Sequence, residues 1–79
     1  MWNYRVVRRK FSDDYSEYSE FNIYEVYYDE NGKVNAWVAR PMEPYGNSIN
    51  DLKEDLGMFM KALELPVLAW EDMPEADRP

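Results

Sequence analysis

The sequence predicts an α+β fold, a three-stranded antiparallel sheet with one amphipathic helix on one face and a short C-terminal strand (β-β-β-α-β). Residues 2–9, 21–29 and 33–40 are rich in aromatic and β-branched side chains, and the first of these segments alternates with period two, as half-buried strands do. Residues 48–65 instead repeat apolar side chains every three or four positions, which is typical of an amphipathic helix. A chain of 79 residues suffices for one domain. We place that domain at residues 1–70 and expect residues 71–79 to form an acidic flexible tail.

The first strand, residues 2–9, is predicted from its alternation. Trp2, Tyr4 and Val6 point to one side of it, and the residues between them point to the other. Residues 10–20 are polar and lack a clear period, so they predict a connecting loop. Their tyrosines are equally compatible with an extension of the flanking strands into one long hairpin.

The turn between the second and third strands has two possible geometries. An Asn-Gly turn of two residues would pair Glu30 with Lys33, whereas a three-residue loop with Gly32 in the left-handed region would pair Asp29 with Lys33. The three-residue loop brings apolar and aromatic residues opposite one another on a single face, so we prefer it. The pairs that it predicts are Tyr28 with Val34, Val26 with Ala36, and Tyr24 with Val38.

The helix is predicted to begin after Ser48, which has the side chain of an N-cap residue, and to end near Leu65, before Pro66. Its apolar stripe consists of Leu52, Leu56, Phe59 and Leu63, with Ile49 and Met60 beside them. Residues 67–70 form the short fourth strand. The predicted core contains Tyr4, Val6, Tyr24, Val26, Val34, Ala36, Val38, Leu52, Leu56, Phe59 and Leu63.

The face of the sheet opposite the helix is the predicted interaction site. If Tyr24 and Val26 face the helix, then Ile23, Tyr27 and Trp37 face away from it. Tryptophan and tyrosine dominate the energetics of protein interfaces, and exposed apolar patches usually mark contacts. We therefore predict that Ile23, Tyr27 and Trp37 bind a protein partner, and that a homodimer could form through this open sheet face.

The composition argues against an enzyme. The chain has no histidine and no cysteine, which removes the commonest general base, the commonest metal ligand and any thiolate chemistry. Four carboxylates, those of Asp13, Asp14, Glu17 and Glu20, lie in the polar segment where we expect solvent exposure rather than tuned pKa values. We expect no catalytic residues, no metal site and no cofactor.

The charge distribution favours a protein partner over nucleic acid. The net charge is −7, and residues 11–79 contain five bases against 16 acids. Such a surface repels phosphates, so we expect no direct nucleic-acid binding and a basic protein as partner. Four bases, Arg5, Arg8, Arg9 and Lys10, lie in the first ten residues, either as a solvated strand edge or as contacts to an acidic partner or phosphate.

The predicted location is the cytoplasm. No apolar run approaches the roughly 20 residues that span a bilayer, and residues 1–5 do not resemble the core of a signal peptide. We therefore expect a soluble protein that has no membrane partner.

Two resemblances bear on function. The order of elements, with Tyr24-Glu25-Val26 before the hairpin, then Gly46, Ser48-Ile49-Asn50-Asp51-Leu52 and a helix ending Met60-Lys61-Ala62-Leu63-Glu64, resembles the HicB-like antitoxin domain, a partial RNase H fold. Residues 1–7 and 27–32 resemble a small family of short uncharacterised bacterial proteins, which implies no activity. The HicB resemblance implies a non-catalytic module that binds and masks a small RNA-cleaving toxin. The alternative function is an acidic nucleic-acid mimic that inhibits a DNA- or RNA-binding machine.

Overall fold

The computed structural model describes residues 1–75 and has the predicted α+β architecture. Its elements are β1 (Trp2–Ser12), β2 (Glu17–Tyr28), β3 (Val34–Trp37), α1 (Ile49–Ala62), β4 (Leu68–Ala69) and a single 3₁₀ turn (Trp70–Asp72). The sheet has the order β3-β2-β1-β4. Strand β2 runs antiparallel to both β1 and β3, and β4 runs parallel to β1.

Strands β1 and β2 form one long hairpin, so residues 10–20 extend the strands rather than form a loop. Pairing runs without interruption from Trp2 opposite Tyr27 to Ser12 opposite Glu17. The carboxylate of Asp13 closes the turn, because it accepts hydrogen bonds from the backbone N–H groups of Tyr15 and Ser16 at 2.8 and 2.7 Å. The flanking strands can therefore continue to the tip.

The second hairpin has the predicted three-residue turn but not all of the predicted pairs. Asp29 N–H donates to the Lys33 carbonyl at 2.8 Å, and Gly32 has a φ of 80°, the left-handed conformation that glycine tolerates best. Tyr28 pairs with Val34 as expected. The register then skips Asn35, so Val26 lies opposite Trp37 instead of Ala36. This bulge moves Trp37 to the face of the sheet that Val26 occupies.

Helix α1 begins at its predicted cap and ends three residues before the predicted boundary. The Ser48 hydroxyl accepts a hydrogen bond from Asp51 N–H at 3.1 Å. The helix covers β1, where Phe59 and Ala62 pack against Tyr4 and Val6. Half-buried Ile23 and Met42 complete this first core cluster. We call the side of the sheet under α1 the helix face.

The opposite side, which we call the second face, is covered by the C-terminal segment. Val7, Tyr24, Val26 and Trp37 form a second buried cluster there, and Leu68, Trp70 and Met73 pack on it. Residues 71–75, which we expected to belong to a flexible tail, thus pack partly against the sheet, while residues 76–79 of that expected tail lie outside the described residues. Both faces of the sheet are thus covered. Accordingly, β1 contributes Val6 to the cluster on the helix face and its neighbour Val7 to the cluster on the second face.

Several predicted core residues are placed differently by the structure. Tyr24 and Val26 are buried, but on the second face rather than under the helix. Leu56 and Leu63 are exposed, so their assignment to the core was wrong. Leu52, Val34, Ala36 and Val38 are half-buried, whereas Val7, Trp37 and Ala62 are buried without having been predicted. Alternation shows which residues share a face, but it does not show which face a helix covers.

Candidate functional site

The structure does not bring the three predicted interaction residues together. Ile23 packs in the cluster of the helix face, and Tyr27, four residues further along β2, points to the same side. Trp37 is only 2 % exposed and lies on the second face. The three residues therefore do not share one face of the sheet.

Beneath the helix, a polar contact joins three elements. The hydroxyl of Tyr4 donates to one carboxylate oxygen of Asp55 at 3.0 Å, and the backbone N–H of Tyr45 donates to the other at 2.8 Å. Burial of the phenol, with Asp55 beside it, raises the pKa of Tyr4 to about 12. Gly46 allows this loop to lie against the helix, because a Cβ there would lie 2.3 Å from Leu52 N. Asp55 of α1 is thus bound both to β1 and to the loop that precedes the helix.

The second face carries an aromatic cluster that its own chain covers. Trp70 packs edge-on against Trp37 and Tyr24, with ring centroids 4.8 and 5.9 Å apart. The indole N–H of Trp37 donates to the carbonyl of Pro74 at 2.7 Å, which holds the C-terminal segment in place. The guanidinium of Arg9 lies 4.0 Å from the centre of the Trp70 ring.

The early basic residues also contribute to this packing. One Arg5 nitrogen donates to the Tyr28 hydroxyl at 2.9 Å and another to the Pro66 carbonyl at 2.7 Å. Arg5 and Arg9 therefore hold the chain that follows α1 against β1. These contacts give the two arginines a role within the fold that the sequence analysis did not consider.

The distal part of the β1–β2 hairpin extends beyond the rest of the sheet. Strand β4 pairs only with Val7 and Arg8, and β3 pairs only with residues 26–28. Within the described chain, residues 9–20 thus form a ribbon of two strands with Phe21 at its base, and we call residues 9–21 the hairpin arm. The radius of gyration is 14.0 Å, compared with about 12 Å for a compact domain of this length.

The hairpin arm exposes aromatic side chains. Tyr15 is 96 % exposed, Phe21 59 % and Tyr18 50 %, and Tyr18 stacks across the strands on Phe11 with ring centroids 5.2 Å apart. The arm contains four acids, all between residues 13 and 20, and two bases, Arg9 and Lys10, at its start. Backbone hydrogen bonds to Asp13 lower the pKa of that carboxyl, which therefore serves the turn. The arm combines aromatic surface with negative charge.

The outer side of α1 carries a second exposed apolar surface. Ile49, Met60 and Leu63 are each more than two-thirds exposed, and Leu56 is 42 % exposed. These four residues recur at spacings of seven, four and three, so they form one row along the helix, which we call the helix stripe. The helical periodicity of the sequence includes all four residues, and two of them, Leu56 and Leu63, belong to the predicted core.

The sequence contains a partial signal for the hairpin arm and none for the exposure of the helix stripe. The tyrosines of residues 10–20 had suggested a long hairpin, and that suggestion leads directly to the arm. No local signal distinguishes a buried helix row from an exposed one when both are apolar. Within residues 1–75, no group of three or more carboxylates is placed to hold a metal ion.

No helix in the described part of the chain has the length and apolar character that crossing a bilayer requires. No family model, curated protein or solved structure matches the chain.

Proposed function

We propose that the protein is a non-catalytic interaction module whose hairpin arm binds a basic protein partner. The observation that carries this proposal is the exposure of Tyr15, Tyr18 and Phe21 on a ribbon that extends past both neighbouring strands. Isolated two-stranded hairpins are only marginally stable in water, so such an arm gains order from a contact. Exposed aromatic side chains supply the apolar anchors of many protein interfaces.

The charge of the arm supports a basic partner. Asp14, Glu17 and Glu20 each directly precede one of the three aromatic residues in the sequence, and the whole chain carries a net charge of −7. Opposite charge accelerates encounter, and salt weakens this effect over distances of about 10 Å. The specific form of the proposal, which the HicB resemblance implies, is an antitoxin-type protein whose partner is a basic RNA-cleaving toxin acting in the cytoplasm.

The alternative, an acidic nucleic-acid mimic, needs continuous rows of available carboxylates. Four carboxylates are instead occupied by hydrogen bonds within the described chain, those of Asp13, Glu25, Asp29 and Asp55. The aromatic residues between the acids of the arm also favour an apolar anchor with acids around it. We therefore favour the protein-binding module.

The test is affinity capture from cells of the source organism with three baits. The first is wild type, the second carries Tyr15→Ser, Tyr18→Ser and Phe21→Ser, and the third carries Tyr45→Ser, at an exposed aromatic residue outside the arm, as a matched control. We expect a basic protein that wild type and the control retain, that the arm variant loses, and that roughly 1 M salt releases. If wild type and the arm variant capture the same proteins, the proposal is wrong.

A second measurement tests the antitoxin form. The captured protein is purified and assayed for RNA cleavage with each of the three baits added. Inhibition by wild type and by Tyr45→Ser, but not by the arm variant, supports masking through the arm. A captured protein that cleaves RNA equally well with and without wild type contradicts the antitoxin form.

A further inference from the structure

The helix stripe provides a second interaction surface, and we propose that its occupant is a second copy of the same chain. Two α1 helices pack antiparallel about a two-fold axis that passes beside Leu56. This inference goes beyond the proposed function, because it concerns a different surface and a different partner from those of the hairpin arm.

The spacing of the stripe makes it complementary to itself. Ile49 and Leu63 lie seven residues before and after Leu56, and all three are exposed. With the axis beside Leu56, that side chain meets its own copy, and Ile49 of each chain meets Leu63 of the other. Seven residues is the repeat at which one row of a helix keeps facing a neighbouring helix. Identical surfaces meet in this way in two-fold dimers.

The charges beside the stripe also fit a second copy better than a basic protein. Lys53 lies in the same row, between Ile49 and Leu56. In the antiparallel pair its aliphatic part packs on Met60 of the second copy, and its ammonium group extends toward Glu64, about one turn further. Symmetry forms this pair of opposite charges twice. A basic partner would instead meet the like charge of Lys53.

The size of the surface predicts a weak dimer. An apolar patch of this kind exposes on the order of 300–600 Å², less than the roughly 800 Å² that each partner buries in a standard interface. Two copies that each carry −7 also repel one another. Salt screens this repulsion, so the dimer becomes tighter as salt rises, whereas a complex with a basic partner becomes weaker.

Cysteine crosslinking tests the arrangement, because the chain contains no cysteine of its own. Under mild oxidation we expect Leu56→Cys to crosslink to itself and a mixture of Ile49→Cys and Leu63→Cys to form the mixed disulfide. Asn50→Cys, exposed on the polar side of α1, is the control and should not crosslink. Self-crosslinking of Ile49→Cys as fast as the mixture, or of Leu56→Cys no faster than the control, would overturn the proposed geometry.

Sedimentation equilibrium tests the dimer itself. We expect wild type to dimerise reversibly and Met60→Glu or Leu63→Glu to weaken association by about tenfold or more. Asn50→Glu, which adds the same charge outside the stripe, should associate like wild type. The triple arm variant should also dimerise normally, which separates this inference from the proposed function. A wild type that stays monomeric up to about 1 mM, or an Asn50→Glu variant as weak as Met60→Glu, contradicts the inference.

Discussion

A hydrogen bond of 3.0 Å joins Tyr4 of β1 to Asp55 of α1. With this bond, Asp55 and not the neighbouring Leu56 lies on the side of the helix that faces the sheet, so α1 is rotated about its axis relative to the prediction. Asp55, Phe59 and Ala62 follow one another at spacings of four and three, and this row faces the sheet. Leu56 and Leu63 each directly follow a member of this row, so they turn toward the outside. The hydrogen bond beneath the helix and the exposure of the helix stripe therefore follow from the same orientation of α1.

Removing the Tyr4 hydroxyl should destabilise the protein moderately. Tyr4→Phe keeps the ring packed on Phe59 but loses the bond to Asp55, and we expect a loss of about 1 kcal/mol in the free energy of unfolding. Urea denaturation measures this loss. Tyr45→Phe is the control, because the Tyr45 hydroxyl bonds to Asn47 at an exposed position, and its stability should equal that of wild type. Equal losses in the free energy of unfolding for the two variants would mean that the Tyr4–Asp55 bond stabilises the protein no more than an exposed hydrogen bond does.

The raised pKa of Tyr4 predicts a dependence of stability on alkaline pH. In the unfolded chain the phenol ionises near 10.0, whereas in the folded protein its pKa is about 12. Between these values the folded protein keeps a proton that the unfolded chain releases, so unfolding becomes more favourable as pH rises. The stabilisation is fully present below pH 10 and is lost as pH approaches 12.

Tyr4→Phe tests this pH dependence directly. Urea midpoints measured at pH 8 and at pH 11 should fall more steeply with pH in wild type than in Tyr4→Phe. Burial raises the pKa of Tyr24 as well, so the variant should keep part of the dependence. Identical slopes in the two proteins would contradict the origin that we assign to this effect.

The rotation of α1 predicts which helix substitutions unfold the protein. Phe59→Ala removes a buried ring and should cost about 3–5 kcal/mol. Leu63→Ala alters an exposed side chain and should change stability by no more than about 0.5 kcal/mol. Thermal denaturation followed by circular dichroism, at a concentration low enough to avoid dimers, compares them. A large loss in Leu63→Ala together with a small one in Phe59→Ala would show that the helix is rotated the other way.

The C-terminal cover of the second face predicts a fluorescence change. Trp70→Ala removes the ring that packs edge-on against Trp37, so water should reach Trp37 and shift its emission to longer wavelength. The measurement uses a Trp2→Phe background, which leaves Trp37 as the only emitting tryptophan of the variant. Trp70→Phe keeps an aromatic ring in place and is the matched control for quenching of Trp37 by acrylamide. If Trp37 is quenched equally in the alanine and phenylalanine variants, Trp70 does not shield it.

The sequence predicted those features of the fold that depend on nearby residues. Asp29 and Gly32 specify the three-residue turn within five positions of the chain, and Ser48 caps the helix three residues before Asp51. The alternation of β1 likewise predicted a strand with Tyr4 and Val6 buried on one side. Each of these signals acts over a few residues, so no knowledge of the tertiary structure is needed to interpret it.

The placement of the functional surfaces depended on contacts between distant residues. Trp37 was assigned to an open face because the bulge at Asn35 has no recognisable sequence signal, and one skipped residue reverses the side to which a strand residue points. Two residues of the helix stripe, Leu56 and Leu63, belong to the predicted core because the sequence does not show that Asp55 faces the sheet. Asp55 faces it because its carboxylate binds the hydroxyl of Tyr4, 51 residues away. The cover of the second face depends on Trp70 reaching Trp37 across the sheet.

The most direct test of the exposed helix face as an interface is the effect of Met60→Glu on two quantities at once. Met60 is 68 % exposed within one copy, so the substitution should change the free energy of unfolding by no more than about 0.5 kcal/mol, measured by urea denaturation at low concentration. The same substitution should weaken dimerisation by about tenfold or more, measured by sedimentation equilibrium at high concentration. A variant that is as stable as wild type and dimerises as tightly would contradict the account.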